Sequence, residues 1–402
     1  MLAGLVLVTG ILAAPHTCGR PCQIAIAAEG ITVVESKASH SFAQQVTFTL
    51  QATSDAEITK VYLFFRATGE ERTEAAAVTI ESGPRIEARH VHELRRAPLP
   101  PFATVTFWWR IEDSAGASVT TETQQFQYTD NRFPWEQLSA NGLTVHWIDG
   151  EGDPIFGQAA LDIVQASVEE IHAELGGTVP ESIHVYIYDT QPNLDGAMVL
   201  TGREWVSGQA HPELGVVLVA IPSEAGYTSR MERYIPHEIT HLLVYQAVAP
   251  ISYRYVPEWL DEGLATAHER LPTPEYAMAI EEAHAQGQLL PLKDLCVPFS
   301  PDPHTAFLAY AQSSSVVQFI RERYGAQGIR ALIGAYADGA SCGGGVQGAL
   351  HVSLNGLETA WRASLEPQAP WRALVDQVGI WVGLWLLSLL VAVPMIGRLR
   401  RR

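Results

Sequence analysis

The pentapeptide His237-Glu238-Ile239-Thr240-His241 constrains the fold of this chain more than any other feature of its sequence. On a helix, residues i and i+4 lie one above the other, so both imidazoles can reach one metal ion. Zinc binds neutral imidazole nitrogens, and two histidines at this spacing suit it. The apolar flanks Ile235, Leu242 and Leu243 argue against a solvated helix face with incidental histidines. We therefore expect a buried metal-binding helix, because buried histidines need partners.

Two residues next to His237 bear on the chemistry and on the start of this helix. Glu238 is expected to project beside the metal, where its carboxylate can take a proton from a zinc-activated water. Pro236 has no backbone N–H and fits poorly in a helix interior. The regular helix is therefore expected to start at Pro236 rather than at Ser229.

A catalytic zinc site needs a third protein ligand and an open position for water. Carboxylates suited to this role lie in Pro257–Ala265, where Glu262 follows His241 by 21 residues. On a helix Glu258 and Glu262 share a face, whereas Asp261 is turned by about 100° from Glu262. At most two of the three carboxylates can therefore serve, and this spacing alone does not choose between them.

Together these two segments resemble a known family. His-Glu-x-x-His followed by Trp-Leu-x-Glu-Gly-x-Ala is similar to the gluzincin metallopeptidases, in particular the peptidase MA-like family. The resemblance covers about Leu143 to Leu365 and implies a thermolysin-like α+β fold with Glu262 as the third zinc ligand. Ala309–Ser313 and the amphipathic helix after it resemble the downstream helical lobe of that family. The Gly-Ala-Met-Glu-Asn motif of zinc aminopeptidases is absent, so nothing in the sequence indicates an exopeptidase.

The resemblance implies a zinc-dependent metallopeptidase with one Zn2+ per chain, held by His237, His241 and Glu262. Glu238 is then the general base, which accepts a proton from the zinc-activated water and delivers it to the leaving amine. Tyr310 is a candidate for polarising the carbonyl oxygen in the transition state, or else a packed tyrosine of the helical lobe. The alternative function is a catalytically inactive, metallopeptidase-like surface binding protein. A purely structural protein would require the motif to be accidental.

Residues 29–130 show short β-rich runs with period-two alternation and turns between them. About 100 residues of this pattern predict an all-β, immunoglobulin-like sandwich, of the fibronectin type because it contains no cysteine pair. No cluster of charged residues or histidines indicates chemistry here, and we interpret the segment as a spacer or adhesion module. The predicted strands are Ile31–Glu35, Gln45–Gln51, Ile58–Arg66, Ala75–Ile80, Thr104–Ile111 and Val119–Tyr128.

Residues 131–372 are predicted to form the α+β metallopeptidase domain of this multidomain chain. Val216–Ile221 is expected to be an edge strand above the metal, where an extended peptide can pair with it, or else an ordinary core strand. Small residues after Glu262, such as Gly263, are expected to let that helix approach the histidine-bearing helix closely. The predicted elements are strands Leu143–Trp147, Ile183–Tyr188 and Gly215–Ile221, helix Pro154–Leu175, and mainly helices from Ser229 to about Leu365.

Both ends of the chain carry apolar segments that bear on its location. Leu2–Ala14 has the length of a signal-peptide core and predicts a signal peptide at 1–28, although no basic residues precede it. Residues 378–397 carry no charge and as a helix span about 30 Å, the thickness of a bilayer core. The arginine-rich segment 398–402 would stay in the cytoplasm. We expect a single-pass cell-membrane protein with a transmembrane helix at 378–397 and extracytoplasmic N-terminal domains; a buried core helix is the alternative.

Cysteine content and net charge limit the compartment and the partners. After signal removal only Cys296 and Cys342 remain, and an even pair in an oxidising compartment predicts a disulfide between them. The net charge of −18 argues against nucleic acid as a partner, because phosphate binding needs a basic surface. We expect a peptide or protein substrate and, through the C-terminal helix, the membrane as partners. The oligomeric state stays open.

Overall fold

The computed structural model describes residues 27–28, 30–148, 154–198, 208–271 and 273–366. These residues form two compact units, the first ending at Arg132 and the second beginning at Phe133. The predicted domain limits, 29–130 and 131–372, stay predictions. The signal peptide expected at 1–28 lies outside the described residues, except for Ala27 and Ala28.

The described part of the first unit consists of β-strands that form one eight-stranded hydrogen-bonded sheet. The long strand β3 pairs with four neighbours in this sheet: β2, β4, β5 and β6. The strands are β1 (Ala27–Ala28), β2 (Ile31–Ser41), β3 (Gln45–Ala67), β4 (Glu74–Val78), β5 (Gly83–Glu93), β6 (Thr104–Asp113), β7 (Ser118–Thr120) and β8 (Gln124–Gln127).

This unit is all-β, as predicted. Its strands form one hydrogen-bonded sheet, however, and not the two separate sheets of the expected immunoglobulin-like sandwich. The strands expected at Gln45–Gln51 and Ile58–Arg66 are parts of β3, whose register against β5 shifts between Thr53 and Ile58. Phe48 in the first half of β3 stacks on Phe65 in its second half, with ring centroids 5.1 Å apart. The two halves therefore face each other across a shared core, and the chain joins them through an irregular stretch instead of a turn.

The second unit contains a five-stranded sheet in the order β12-β13-β11-β10-β9. Strands β10, β11 and β13 are parallel, and the outer strands β9 and β12 run antiparallel to their neighbours. The strand bounds are β9 (Trp135–Ala140), β10 (Leu143–Ile148), β11 (Ile183–Tyr188), β12 (Gly208–His211) and β13 (Val216–Ala220). The α+β prediction for this unit is confirmed.

Helices form the rest of the second unit and supply most of its core, which includes the fully buried Trp259, Val316 and Val317. Short 3₁₀ helices cover Pro250–Tyr255 and Leu292–Cys296. The α-helices are α1 (Pro154–Leu175), α2 (Gln191–Met198), α3 (Tyr227–Val248), α4 (Glu258–His268), α5 (Pro274–Ala285), α6 (Pro303–Ala337), α7 (Cys342–Leu350) and α8 (Leu354–Ser364).

Helix α4 packs tightly against α6 at Gly263. A Cβ atom at Gly263 would lie 2.7 Å from the carbonyl oxygen of Ser313, a distance that no side chain tolerates. The expectation that Gly263 brings α4 close to the histidine-bearing helix was therefore wrong. The glycine serves the contact with α6, while the metal-facing side of α4 carries larger side chains.

The fold class is also corrected at its C-terminal end. No helix among residues that the structure describes is both long and apolar enough to cross a membrane. The longest, α6, carries Arg321, Glu322 and Arg323, so its apolar residues pack into a globular core instead. A transmembrane helix is thus not part of the observed fold, and residues 378–397, where one was expected, lie outside the described residues.

A partly buried ion-pair network ties helices α1, α4 and α6 together. Glu174 of α1 accepts two hydrogen bonds of 2.6 Å from Arg321 of α6. It also lies 2.8 Å from Nε2 of His268, at the end of α4. Burial by itself would raise the pKa of Glu174, but the hydrogen bonds from His268 and Arg321 lower it to about 2. The network therefore stabilises the fold only while Glu174 is ionised.

We expect the Glu174→Gln substitution to destabilise the protein at pH 7 far more than at pH 2. The folded-state pKa lies below the unfolded value, so the contribution is present above about pH 4.5 and is lost towards pH 2. Allowing for solvent screening, this group contributes about 1–2 kcal/mol. Denaturant unfolding at both pH values measures the change. Glu170→Gln, an exposed change on the same helix, is the control, and an equal loss at both pH values for Glu174→Gln would contradict the assignment.

Candidate metal centre and cleft

Helix α3 carries His237 and His241 one turn apart and continues through Pro236. It begins at Tyr227, so the expectation that the regular helix starts at Pro236 was wrong. Proline cannot donate to the carbonyl four residues earlier, at Glu232. That carbonyl instead accepts a hydrogen bond of 3.0 Å from the backbone N–H of Arg270, just beyond α4. The carbonyl group that the proline leaves free thus holds the end of α4 against α3.

Helix α4 places Glu262 against both histidines. Its Oε2 atom lies 3.4 Å from Nε2 of His237 and 3.6 Å from Nε2 of His241. One ligand atom from each of these residues lies within 4.8 Å of the others. Two imidazole nitrogens and one carboxylate oxygen form the donor set of a zinc site with an open position. The side chains therefore fit a zinc ion without rearrangement of the backbone.

The remaining ring nitrogen of each histidine faces a carboxylate. Nδ1 of His237 lies 3.2 Å from Oε1 of Glu269, and Nδ1 of His241 lies 3.2 Å from Oδ2 of Asp261. These carboxylates fix the orientation of the rings, so that both Nε2 atoms point towards Glu262. A carboxylate behind each histidine is the usual support of a zinc ligand.

Both supporting carboxylates are themselves held in place. Glu269 accepts a hydrogen bond of 3.1 Å from Nε of Arg233. Asp261 accepts one of 2.6 Å from the hydroxyl of Tyr253. Asp261, one of the three candidate metal ligands in the sequence analysis, thus supports the proposed ligand His241 at its Nδ1 atom.

The surroundings of the two histidines favour a positive charge. Burial would lower the pKa of His237, but hydrogen bonds to Glu262 and Glu269 outweigh it and hold that pKa well above 6.5. Burial likewise opposes protonation of His241, yet the charges of Asp261 and Glu262 raise its pKa to about 9. A divalent cation can replace these protons at the same place, so metal binding should release protons and strengthen with rising pH.

Replacing Glu269 by glutamine is expected to weaken zinc binding by about 10- to 100-fold, because a neutral amide supports His237 less well than a carboxylate. Competition with a chelator of known affinity measures the change. Glu275→Gln, an exposed substitution on α5, is the matched control and should leave the affinity unchanged. Unaltered zinc affinity in Glu269→Gln would show that the contact between Glu269 and His237 does not strengthen zinc binding.

Glu238 is buried between α3 and the outermost strand of the sheet. A Cβ atom at Gly208 would lie 2.6 Å from Oε1 of Glu238 and 2.9 Å from its Cδ. Among the described residues, β12 pairs only with β13, which itself lies between β12 and β11. The strand expected at the edge, Val216–Ile221, is therefore an interior strand, and Gly208–His211 takes the edge position.

We expect the Gly208→Ala substitution to lower turnover by about 10- to 100-fold without loss of zinc, because the new methyl group must displace the Glu238 carboxylate. Steady-state kinetics and zinc content, measured on the same preparation, separate the two effects. Gly334→Ala on α6 adds the same methyl group where no atom lies within 4 Å, and it serves as the control. Wild-type kcat in Gly208→Ala would contradict a positioning role for Gly208.

Tyr310 of α6 lies beside the three metal-facing residues. Its ring centroid is 6.5 Å from that of His237. Burial, together with the nearby carboxylates of Glu262, Glu258 and Glu238 and a hydrogen bond to Glu262, raises the pKa of its hydroxyl. The hydroxyl therefore stays protonated over the working pH range and can donate a hydrogen bond. The structure thus brings all five residues proposed from the sequence to one place.

A cleft of about 940 Å³ opens onto these residues. Its lining comes from β12 and the turn after it, from α3 and α4, from the segment 296–298 and from Phe307 and Tyr310 of α6. The segment 296–298 is tied to α7 by a disulfide between Cys296 and Cys342, so that prediction is confirmed.

Gly208, Glu269 and Arg233 were not anticipated from the sequence. Glu269 follows Glu262 by seven residues, beyond the end of α4, and no local pattern marks it as the partner of His237. Gly208 lies in a strand of four residues, too short for a periodic signal. Asp261 could have been assigned from its position one residue before Glu262.

A helix with His-Glu-x-x-His, a second helix that presents a glutamate to both histidines, and an adjoining mixed sheet define a metallopeptidase-like protein. A family model described as the Peptidase MA superfamily matches residues 163–367, just over half of the chain. The chain belongs to the Peptidase MA superfamily. The resemblance noted in the sequence is thereby confirmed.

Comparison with curated proteins found no match. Among solved structures, an aminopeptidase N family protein from Idiomarina loihiensis is 8% identical, with a TM-score of 0.39, covering 77% of this chain and 71% of that chain. A carbohydrate-binding module of family 56, a β-1,3-glucan binding domain, is 15% identical, with a TM-score of 0.16 over 23% of this chain and 95% of that one. Neither TM-score reaches 0.5, so membership of the superfamily stands on the sequence match.

Proposed function

We propose that this chain is a zinc metallopeptidase that hydrolyses peptide bonds, with one zinc ion held by His237, His241 and Glu262. The observation that carries the proposal is the approach of Nε2 of both histidines to Oε2 of Glu262, at 3.4 and 3.6 Å. Carboxylates behind both rings and a cleft in front of them support a site built for a cation and a substrate.

In the proposed reaction a bound zinc ion supplies Lewis acidity, which makes water more acidic and a carbonyl group more electrophilic. Glu238 accepts the proton of the attacking water and delivers it to the leaving amine. The hydroxyl of Tyr310 donates a hydrogen bond to the oxygen on which negative charge develops. The close approach of β12 to Glu238 limits the positions that this carboxylate can adopt.

The proposed substrate is an extended peptide or a protein segment. Strand β12 is the outer strand beside the cleft, and its Gln209, Ala210 and His211 line it. An extended segment can pair with such an edge through its backbone, which requires no particular sequence. An extracytoplasmic, oxidising location is also proposed, and the Cys296–Cys342 disulfide supports it.

Incubation of the zinc-loaded full chain with a mixed peptide library, read by mass spectrometry, tests the proposal. We expect new peptide termini that disappear when a zinc chelator is added and return when zinc is restored. A zinc-loaded chain that binds peptides but never cleaves them would instead be an inactive, metallopeptidase-like binding protein. Cleavage that persists in the presence of the chelator would exclude a zinc mechanism.

A further inference from the structure

Part of the cleft lining is apolar and open to solvent. Val297 is 59% exposed and Phe307 is 38% exposed, and both line the cleft together with Pro298. We call these three residues the apolar lining. Large apolar side chains exposed inside a cleft leave surface that a ligand can remove from water.

Phe307 of the apolar lining lies one helical turn from Tyr310, one of the proposed reacting groups. Phe307 and Tyr310 are three residues apart on α6, so their side chains are neighbours on the same face, about 5–6 Å apart at Cβ. The ring centroid of Tyr310 lies 6.5 Å from that of the metal-facing His237. A substrate side chain next to the bond at the metal centre is therefore within reach of Phe307.

The lining is held in place from behind, so little ordering is needed when a ligand binds. The ring of Phe307 contacts that of Tyr276 at a centroid distance of 4.9 Å. Tyr276 and Arg233, the partner of Glu269, both line the same cleft. Val297 directly follows Cys296, which the disulfide fixes to α7. Preorganised surface of this kind binds without a large entropic cost.

The rest of the cleft lining carries mainly negative charge. Carboxylates of Glu213 and Glu258 line it in addition to those at the metal centre, and together these outnumber the two guanidinium groups in the lining, Arg233 and Arg254. Acidic side chains of a substrate are disfavoured there by like-charge repulsion. An apolar side chain avoids this repulsion and gains from burial against the lining.

We propose that Val297 and Phe307 form a specificity subsite for a large apolar or aromatic side chain beside the scissile bond. The inference rests on the proposed peptidase site for the position of that bond. The subsite itself is a binding surface, so its selectivity exists whether or not turnover follows.

Peptide binding to the full-length, zinc-loaded Glu238→Gln protein tests the subsite, since impaired turnover leaves the peptides intact. The probes are capped octapeptides of glycine and serine that carry one central Phe, Leu, Ala or Glu. We expect the Phe peptide to bind at least about 10-fold more tightly than the Ala peptide, and the Glu peptide most weakly. Adding Phe307→Ala should bring the Phe-to-Ala ratio close to one, and Phe307→Leu should restore part of it.

Met278→Ala is the matched control, because Met278 is a large apolar side chain that is 66% exposed outside the cleft lining. It should keep the wild-type ratio. Equal binding of the Phe and Ala peptides, or a preference that survives both Phe307→Ala and Val297→Ala, would overturn the subsite. Phe-selective binding without turnover by the wild-type chain would remove the proposed activity but keep the subsite. Turnover by the wild-type chain without a preference for an apolar side chain would remove the subsite but keep the proposed activity.

Discussion

Replacing Glu238 by glutamine is expected to lower kcat by about 100- to 10,000-fold while the protein still binds zinc. Glutamine has nearly the same shape but cannot accept the proton of the attacking water, and general base catalysis contributes a factor of this size. His237 and His241 keep their supporting carboxylates in this variant, so the zinc site stays intact. Turnover and zinc content of the same preparation provide the measurement.

Glu258→Gln is the matched control for this substitution. It removes the same charge from the same cleft, one helical turn before Glu262, but from a residue with no assigned role in proton transfer. A large loss in Glu238→Gln together with a small effect in Glu258→Gln would separate proton transfer from a general change in cleft charge. Near wild-type turnover in Glu238→Gln would mean that another group is the base.

Removal of zinc is expected to abolish turnover and to lower the thermal stability of the protein. A ligand that binds only the folded state stabilises it by about 4 kcal/mol when its concentration is 1,000 times Kd. Without the metal, the carboxylates of Glu262, Glu269 and Asp261 are balanced by protons on the two histidines and by Arg233, the partner of Glu269. The melting temperature should therefore rise by several degrees when zinc is added back.

The His241→Ala variant tests whether this stabilisation comes from the proposed site. It should show no zinc-dependent rise in melting temperature and no turnover, whereas His304→Ala, at an exposed position of α6, should respond to zinc like the wild type. An equal thermal response in His241→Ala would place the stabilising zinc elsewhere on the chain.

The two metal-facing histidines could be predicted because helix geometry alone determines their relation. The i, i+4 spacing puts His237 and His241 on one face, and the structure brings Glu262 to both. The Glu262 assignment needed the family resemblance, since spacing alone left Glu258 open. Helix Pro154–Leu175 has the bounds expected from its periodicity, and strand Ile183–Tyr188 has those expected from a short apolar run, which is buried almost throughout.

Glu269 and Gly208 support the site but could not be predicted, because they meet His237 and Glu238 only through tertiary structure. Glu269 reaches His237 from beyond the end of α4, and Gly208 comes from a different element altogether. Pro236 misled the sequence interpretation for the same reason. Its helix survives because the carbonyl freed at Glu232 finds the N–H of Arg270, a partner 38 residues further along the chain.

The errors in the fold also have physical causes. Strand β5, Gly83–Glu93, escaped notice because its exposed face carries charged residues and its buried face holds few large apolar ones. Strand β3 was divided in two because Ser54 and Asp55 resemble a turn, whereas the chain continues through a register shift. A membrane-spanning helix was expected from apolar composition, and no such helix occurs within the described ranges.

Zinc content tests the central claim most directly. It is measured on the purified full chain after loading with metal and removal of loosely bound ions, with wild type and His237→Ala side by side. The account predicts about one zinc per wild-type chain, since three protein ligands and one open position bind a single ion, and far less in the variant. No stoichiometric zinc in the wild type, or the same content in both proteins, would contradict the claim that His237, His241 and Glu262 form a zinc site.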